Sequence, residues 1–299
     1  MPLWIPITLA AAFLQNLRSL LQKRLTGKLS TGGATFARCV FAFPLALAYA
    51  LAVSGLTGWA PDAVSGGFVG FLLMGALSQI LATYALLASF GHGAFAIGTA
   101  YSKTEAVQAA IVAAVLLGEL LSAWGWLAVL IGMAGVALMA FKRREDGLAA
   151  LNLRDKAVLW GLFAGALFAF ASVGYRGASL SLGDGSVFAR AGWTLAAATA
   201  LQTLVMAAYL RWREPGQIGK TLSLWRESGL VALAGVSASV GWFTALTLQT
   251  AALVKALAQV ELIFSTLTSW LYFKEPVSLR EVAGIVLIGL SVVLIVLVA

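Results

Sequence analysis

Ten apolar runs of about twenty residues each, separated by short polar or turn-forming stretches, fill almost the whole chain. Runs of that length match the hydrocarbon thickness of a bilayer when coiled as α-helices. By number they cover 3–21, 34–54, 67–90, 94–117 and 123–141. After the polar stretch KRREDGLAALNLRDK they continue over 157–177, 187–210, 228–250, 252–273 and 282–298. The stretch 228–273 holds two of them, with Lys255 near the break. Composition agrees: 61% of the 299 residues are hydrophobic and only 11% are charged, whereas soluble domains carry about 25%. The N-terminal MPLWIPITLAAAFLQ has no basic region and no Ala-x-Ala cleavage pattern, so it reads as a first span and not as a removed leader. The expected fold is an all-α membrane protein of ten transmembrane helices.

The runs are duplicated. One shift of 156 positions carries Glu105 to Glu261 and Glu119 to Glu275, and Ser122 to Ser278 as well. A second register, 152 positions, relates Phe36-Ala37-Arg38 to Phe188-Ala189-Arg190 and Arg24 to Arg176. Two related halves follow, 1–145 and 146–299, each with five spans. Five is odd, so the halves enter the membrane from opposite faces as an inverted repeat. Charge supports this. Connections after odd-numbered spans carry 14 Lys and Arg, while those after even-numbered spans, with both ends, carry only Arg176 and Lys255. By the positive-inside rule the basic connections are cytoplasmic and both termini are periplasmic. The net charge of +8 is thereby explained by orientation, and no nucleic-acid partner is implied. Cys39 and His92 are the only residues of their types, which excludes disulfides within the chain and multi-ligand Cys or His metal sites; no metal or other cofactor is expected.

The stretches AAVLLGELLSAWGWLAVLIGMAGVAL and TSWLYFKEPVSLREVAGIVLIGLSVVL resemble the two repeat copies of the drug/metabolite transporter (DMT) superfamily, especially its EamA-type ten-helix exporters. Gly118-Glu119-x-x-Ser122, Glu275-Pro276-Val277-Ser278 and the arginines Arg38 and Arg190 carry the resemblance, which spans both halves. It implies export of amino acids or related metabolites, some of them aromatic, across a bacterial inner membrane. One departure matters: many such proteins have proline in the fourth and ninth spans about where this chain has Glu105 and Glu261. Proline interrupts helix hydrogen bonds and offers a hinge, whereas glutamate offers an ion or proton site.

Two inverted repeats around a pseudo-twofold axis place a substrate site near the midplane, where the repeats meet. An intramembrane carboxylate is itself a functional candidate. Helical spacing puts Tyr101, Glu105 and Gln108 on one face of span four, with Lys103 turned aside. Glu105 then binds a substrate ammonium or a proton, or else locks helices through Lys103, Arg18 or a neighbouring arginine. Glu261 has the same two readings, with Gln259 and Lys255 as partners. Protonation of either glutamate would bias one access state. Glu119 and Glu275 lie at turns, where capping or clamping is the simpler role. Asn16, Gln79, Tyr84 and Trp242 are polar or amphipathic groups inside apolar runs, suited to substrate contact or to helix-to-helix hydrogen bonds. Tyr84, Tyr101, Trp160, Tyr175 and Trp242 offer material for an aromatic cage. Gly161, Gly165, Gly235, Gly241, Gly284 and Gly289 allow close helix approach.

No metalloprotease, hydrolase-elbow, phosphate-loop or dinucleotide fingerprint occurs, so an enzyme is not expected. No filter or ring motif points to a channel. The expected protein is a secondary carrier exporting small amphipathic metabolites, amino acids first among them, by alternating access. Its partners are the lipid bilayer and a small-molecule substrate, and it is compatible with a monomer.

Overall fold

The computed structural model describes residues 1–22, 28–92, 101–140, 155–271, 274 and 277–298. Its regular elements are α-helices: α1 Trp4–Gln22, α2 Thr31–Thr57, α3 Gly66–His92, α4 Glu105–Leu117, α5 Ala123–Ala140, α6 Lys156–Leu180 and α7 Val187–Arg213. The short α8 Gln217–Ser223 is followed by α9 Trp225–Leu248, α10 Ala251–Leu257, α11 Val260–Leu271 and α12 Leu279–Val298. Among the described residues seven stretches are long and apolar enough to cross a bilayer, and α4 and α5 are shorter apolar helices. The chain is a multi-pass membrane protein.

The distribution of side chains follows from the solvent. Buried apolar positions are mostly alanine, while Leu204, Leu230, Val115 and Leu297 are exposed. Lipid tails are as apolar as leucine, so nothing drives large side chains inward; small residues let backbones approach instead.

Three helix starts are set by serine. Ser30 accepts from the Gly33 amide at 3.0 Å and begins α2. Ser122 accepts from the Gly125 amide at 3.1 Å and begins α5. Ser278 accepts from the Glu281 amide at 3.3 Å, and its own amide and hydroxyl donate to the Glu281 carboxylate at 2.7 and 2.8 Å, a reciprocal cap. The serine of each repeated Glu-x-x-Ser turn therefore does the capping. Glu119 instead follows Gly118, which closes α4 in the left-handed conformation at φ 67°. Glu275 and Pro276 lie outside the described residues, as does the stretch 141–154 that divides the two expected halves.

The chain forms two compact units, each drawing on both sides of residue 145. One comprises 6–77 and 174–248, the other 1–5, 78–173 and 249–299. In the first, α2 packs on α7 and α9, with α8 against the start of α2. The Ser30 hydroxyl donates to Glu214 there. Polar side chains tie the helices: Trp193 Nε1 donates to Ser54 at 2.9 Å, Gln202 to the Tyr175 hydroxyl at 2.9 Å and Trp242 Nε1 to Gln15 at 3.1 Å. Arg176 donates to the Leu246 carbonyl at 2.7 Å, near the carbonyl-rich end of α9. Gly241 passes Ala11 so closely that a Cβ would come within 2.8 Å of the alanine methyl.

In the second unit α5 packs along α12, and α10 lies against α4. A Cβ on Gly135 would meet the Gly284 carbonyl oxygen at 2.8 Å, and one on Gly284 would meet the Gly135 carbonyl oxygen at the same distance. Gly284 thus has the close-packing role expected of it. Gly289 does not, because nothing lies within 4 Å of the Cβ it lacks.

Candidate functional site

Two interrupted helices build the site, both in the second unit. Span four was expected as one continuous helix, but the described chain is helical at Tyr101–Ser102, turns at 103–104 and begins again at Glu105. The Thr104 amide bonds the Tyr101 carbonyl three residues back at 3.2 Å, and its hydroxyl bonds the same oxygen, so the turn is tightened locally. The ninth span is interrupted likewise: α10 ends at Leu257 and α11 begins at Val260. The amides of Gln259, Glu261 and Leu262 bond carbonyls three residues back at 3.2, 3.0 and 3.0 Å.

Both glutamates fall in the first turn of the helix that resumes, and Lys255 falls in the last turn of α10. Carboxylates at helix starts and an ammonium at a helix end are each favoured by the helix dipole, by roughly 0.3–1 kcal/mol. The interruptions also change which charges meet. Lys103, expected to turn aside, reaches across to Glu261 at 3.5 Å. Lys255 meets Glu105 at 3.4 Å. Lys103 faces Glu261 first and Glu105 second in electrostatic strength, so the four charges form one cluster. The named expected partners, Lys103 or Arg18 for Glu105 and Gln259 or Lys255 for Glu261, lie in the same expected repeat as their glutamate, whereas both pairs join a residue before 145 to one after it. A continuous helix would have pointed Lys103 elsewhere; the turn at 103–104 redirects it. The four side chains keep 10–21% exposure, so the cluster is not sealed.

Other predicted site residues surround these breaks in different ways. Tyr101 is buried. Gln108 donates to the Thr104 hydroxyl at 2.8 Å and the Leu162 carbonyl at 3.4 Å, and so braces the fourth-span turn against α6. Gln79 and Tyr84 are half-buried on α3. Gln259 is 2% exposed and packs onto Gly132, beside Ser291, with neither amide atom hydrogen-bonded among the described residues. Asn16 and Trp242 belong to the other compact unit. Of the aromatic set, Tyr175 is engaged by Gln202 and by Phe243, whose ring centroid lies 4.5 Å away, also in that unit. Trp160 is exposed beside Phe163. Lys103 and Lys255 were not singled out as binding residues from sequence. Lysine two or six positions before an intramembrane glutamate was the available signal.

Gly165 on α6 makes the fourth-span turn possible. A Cβ there would stand 2.9 Å from Thr104 Oγ1 and 3.0 Å from the Ser102 carbonyl oxygen. We expect Gly165→Val to lower the stability of the purified protein by about 1–3 kcal/mol, read from thermal melts, because the added methyl groups would push against the turn. An unchanged melting temperature would show that the turn is not held by this contact.

Comparison with known proteins gives the class. One solved crystal structure of a protein superposes with a TM-score of 0.68 at 16% sequence identity, covering 99% of this chain and 97% of that one. At that identity the likeness establishes fold alone. No curated protein matches the chain. The EamA-like transporter family model matches residues 155–297. Residues 155–297 therefore form an EamA-like transporter domain of the drug/metabolite transporter superfamily, a family of transporters and not of enzymes.

Proposed function

We propose that the chain is a ten-span secondary carrier of two inverted five-helix repeats, 1–145 and 146–299, that exports small amphipathic metabolites by alternating access, with amino acids as the leading substrates. The observation that carries this reading is the pair of interrupted helices with a glutamate in the first turn after each break. Interruptions at corresponding positions of two halves are where inverted-repeat carriers bind substrate, because freed backbone groups and helix ends are presented there. Glu105 and Glu261 serve as ammonium sites, with Lys103 and Lys255 as their resting counter-ions. Tyr101, Gln108, Gln79 and Tyr84 shape the surroundings.

The setting is a bacterial inner membrane with both termini periplasmic. Exposed Trp212 and Trp225, each beside a basic neighbour (Arg213 at 4.2 Å and Arg226 at 5.3 Å from the ring centroids), suit the lipid–water boundary on the cytoplasmic side.

The test is counterflow in proteoliposomes against a panel of amino acids. The expected result is saturable exchange of at least one of them, competed by its unlabelled form. Non-saturating conductance would identify a channel, and no flux of any amino acid would remove them as substrates.

A further inference from the structure

We infer that Lys103, Glu105, Lys255 and Glu261 form a charge-balanced site that admits a zwitterion and rejects ions of a single sign. The inference rests on the carrier reading above and adds the chemistry by which the substrate is chosen.

The cluster contains two cations and two carboxylates, and each charge is neutralised by a partner on another helical segment, at 3.5 and 3.4 Å. The two pairs thus balance the charge at these positions. A primary amine approaching Glu261 would compete with Lys103 for the carboxylate and leave three cations against two carboxylates in an apolar region. A simple carboxylate approaching Lys103 would likewise leave three carboxylates against two ammoniums. Removing one partner from a buried pair is far more costly than replacing both. A molecule bearing ammonium and carboxylate on adjacent atoms replaces both at once: its ammonium takes the place of lysine on the glutamate, and its carboxylate takes the place of glutamate on the lysine. Selectivity then comes from the penalty imposed on the wrong ligand as much as from contacts with the right one. The residual exposure of all four side chains leaves the pairs accessible to such an exchange.

The test uses the full chain in proteoliposomes loaded with labelled phenylalanine, or with whichever amino acid shows the strongest counterflow. Competitors are the same amino acid, its decarboxylated amine and its deaminated carboxylic acid. The expected result is that both single-charge analogues compete at least tenfold more weakly than the zwitterion. Glu261→Gln releases Lys103, so the carboxylic acid should gain at least tenfold relative to the amino acid. Lys103→Gln should favour the amine. The exchanged variant, Lys103→Glu with Glu261→Lys, keeps the pair and should keep zwitterion preference, which guards against loss by misfolding. Equal competition by all three compounds in the wild type would overturn the inference while leaving the carrier reading intact, as would unaltered selectivity in a folded Glu261→Gln protein. Absence of amino-acid counterflow together with saturable flux of an uncharged metabolite would instead overturn the substrate assignment on which it rests.

Discussion

Glu105→Gln should lower the stability of the purified protein by about 3–5 kcal/mol, because it removes the carboxylate that faces the Lys255 ammonium in an apolar region. Lys255 and Glu105 are 3.4 Å apart with 21% and 10% side-chain exposure, so water screens them far less than a surface pair. Removing both charges with Glu105→Gln and Lys255→Gln should recover most of that loss, since no unpaired ion remains. Thermal melts of the two variants and of Lys255→Gln complete a double-mutant cycle. A coupling of about 2 kcal/mol or more is expected. Costs that simply add would mean that the pair is only a proximity of two independently solvated groups.

Gly284→Leu should cost about 1–3 kcal/mol, toward the upper end, because the first atom added meets backbone as well as a side chain. The Cβ would lie 2.8 Å from the Gly135 carbonyl oxygen and would also collide with Met139, forcing α5 and α12 apart. Gly289→Leu, on the same helix with open space around it, should stay within about 0.5 kcal/mol. The contrast separates packing from the general cost or gain of replacing glycine in a helix. Equal melting temperatures for the two variants would contradict the close approach of α5 and α12.

Long apolar runs made the helices legible, because span length depends only on local composition and bilayer thickness. Ser122 and Ser278 were legible only as duplicated positions: capping or clamping was expected of Glu119 and Glu275, and it is the serines that accept the cap bonds. The interruptions were less visible. Span four reads as one apolar run, and only Ser102-Lys103-Thr104 hints at a turn, through hydroxyls that compete for backbone partners. In span nine the signal is weaker still, since Ala258 and Gln259 are compatible with an unbroken helix. Thr-Glu at 104–105 has the look of a helix start, yet the Thr104 side chain bonds backward and does not cap α4. Pairing of the charges was not legible at all. Whether Glu105 meets Lys103 or Lys255 depends on the approach of α4 to α10, segments more than a hundred residues apart, and periodicity within one helix carries no information about that. The same limit applies to Gln259, whose burial against Gly132 follows from packing between elements.

The crossed ion pairs are the centre of the account, and counterflow through a charge-neutral variant tests them most directly. Lys103→Gln, Glu105→Gln, Lys255→Gln and Glu261→Gln combined leave no unpaired ion, so the protein should still fold and elute as the wild type does. Reconstituted side by side, the wild type should exchange a labelled amino acid saturably and the four-fold variant should lose that exchange by at least a hundredfold. Equal exchange by the two proteins would contradict the assignment of the substrate to these four side chains.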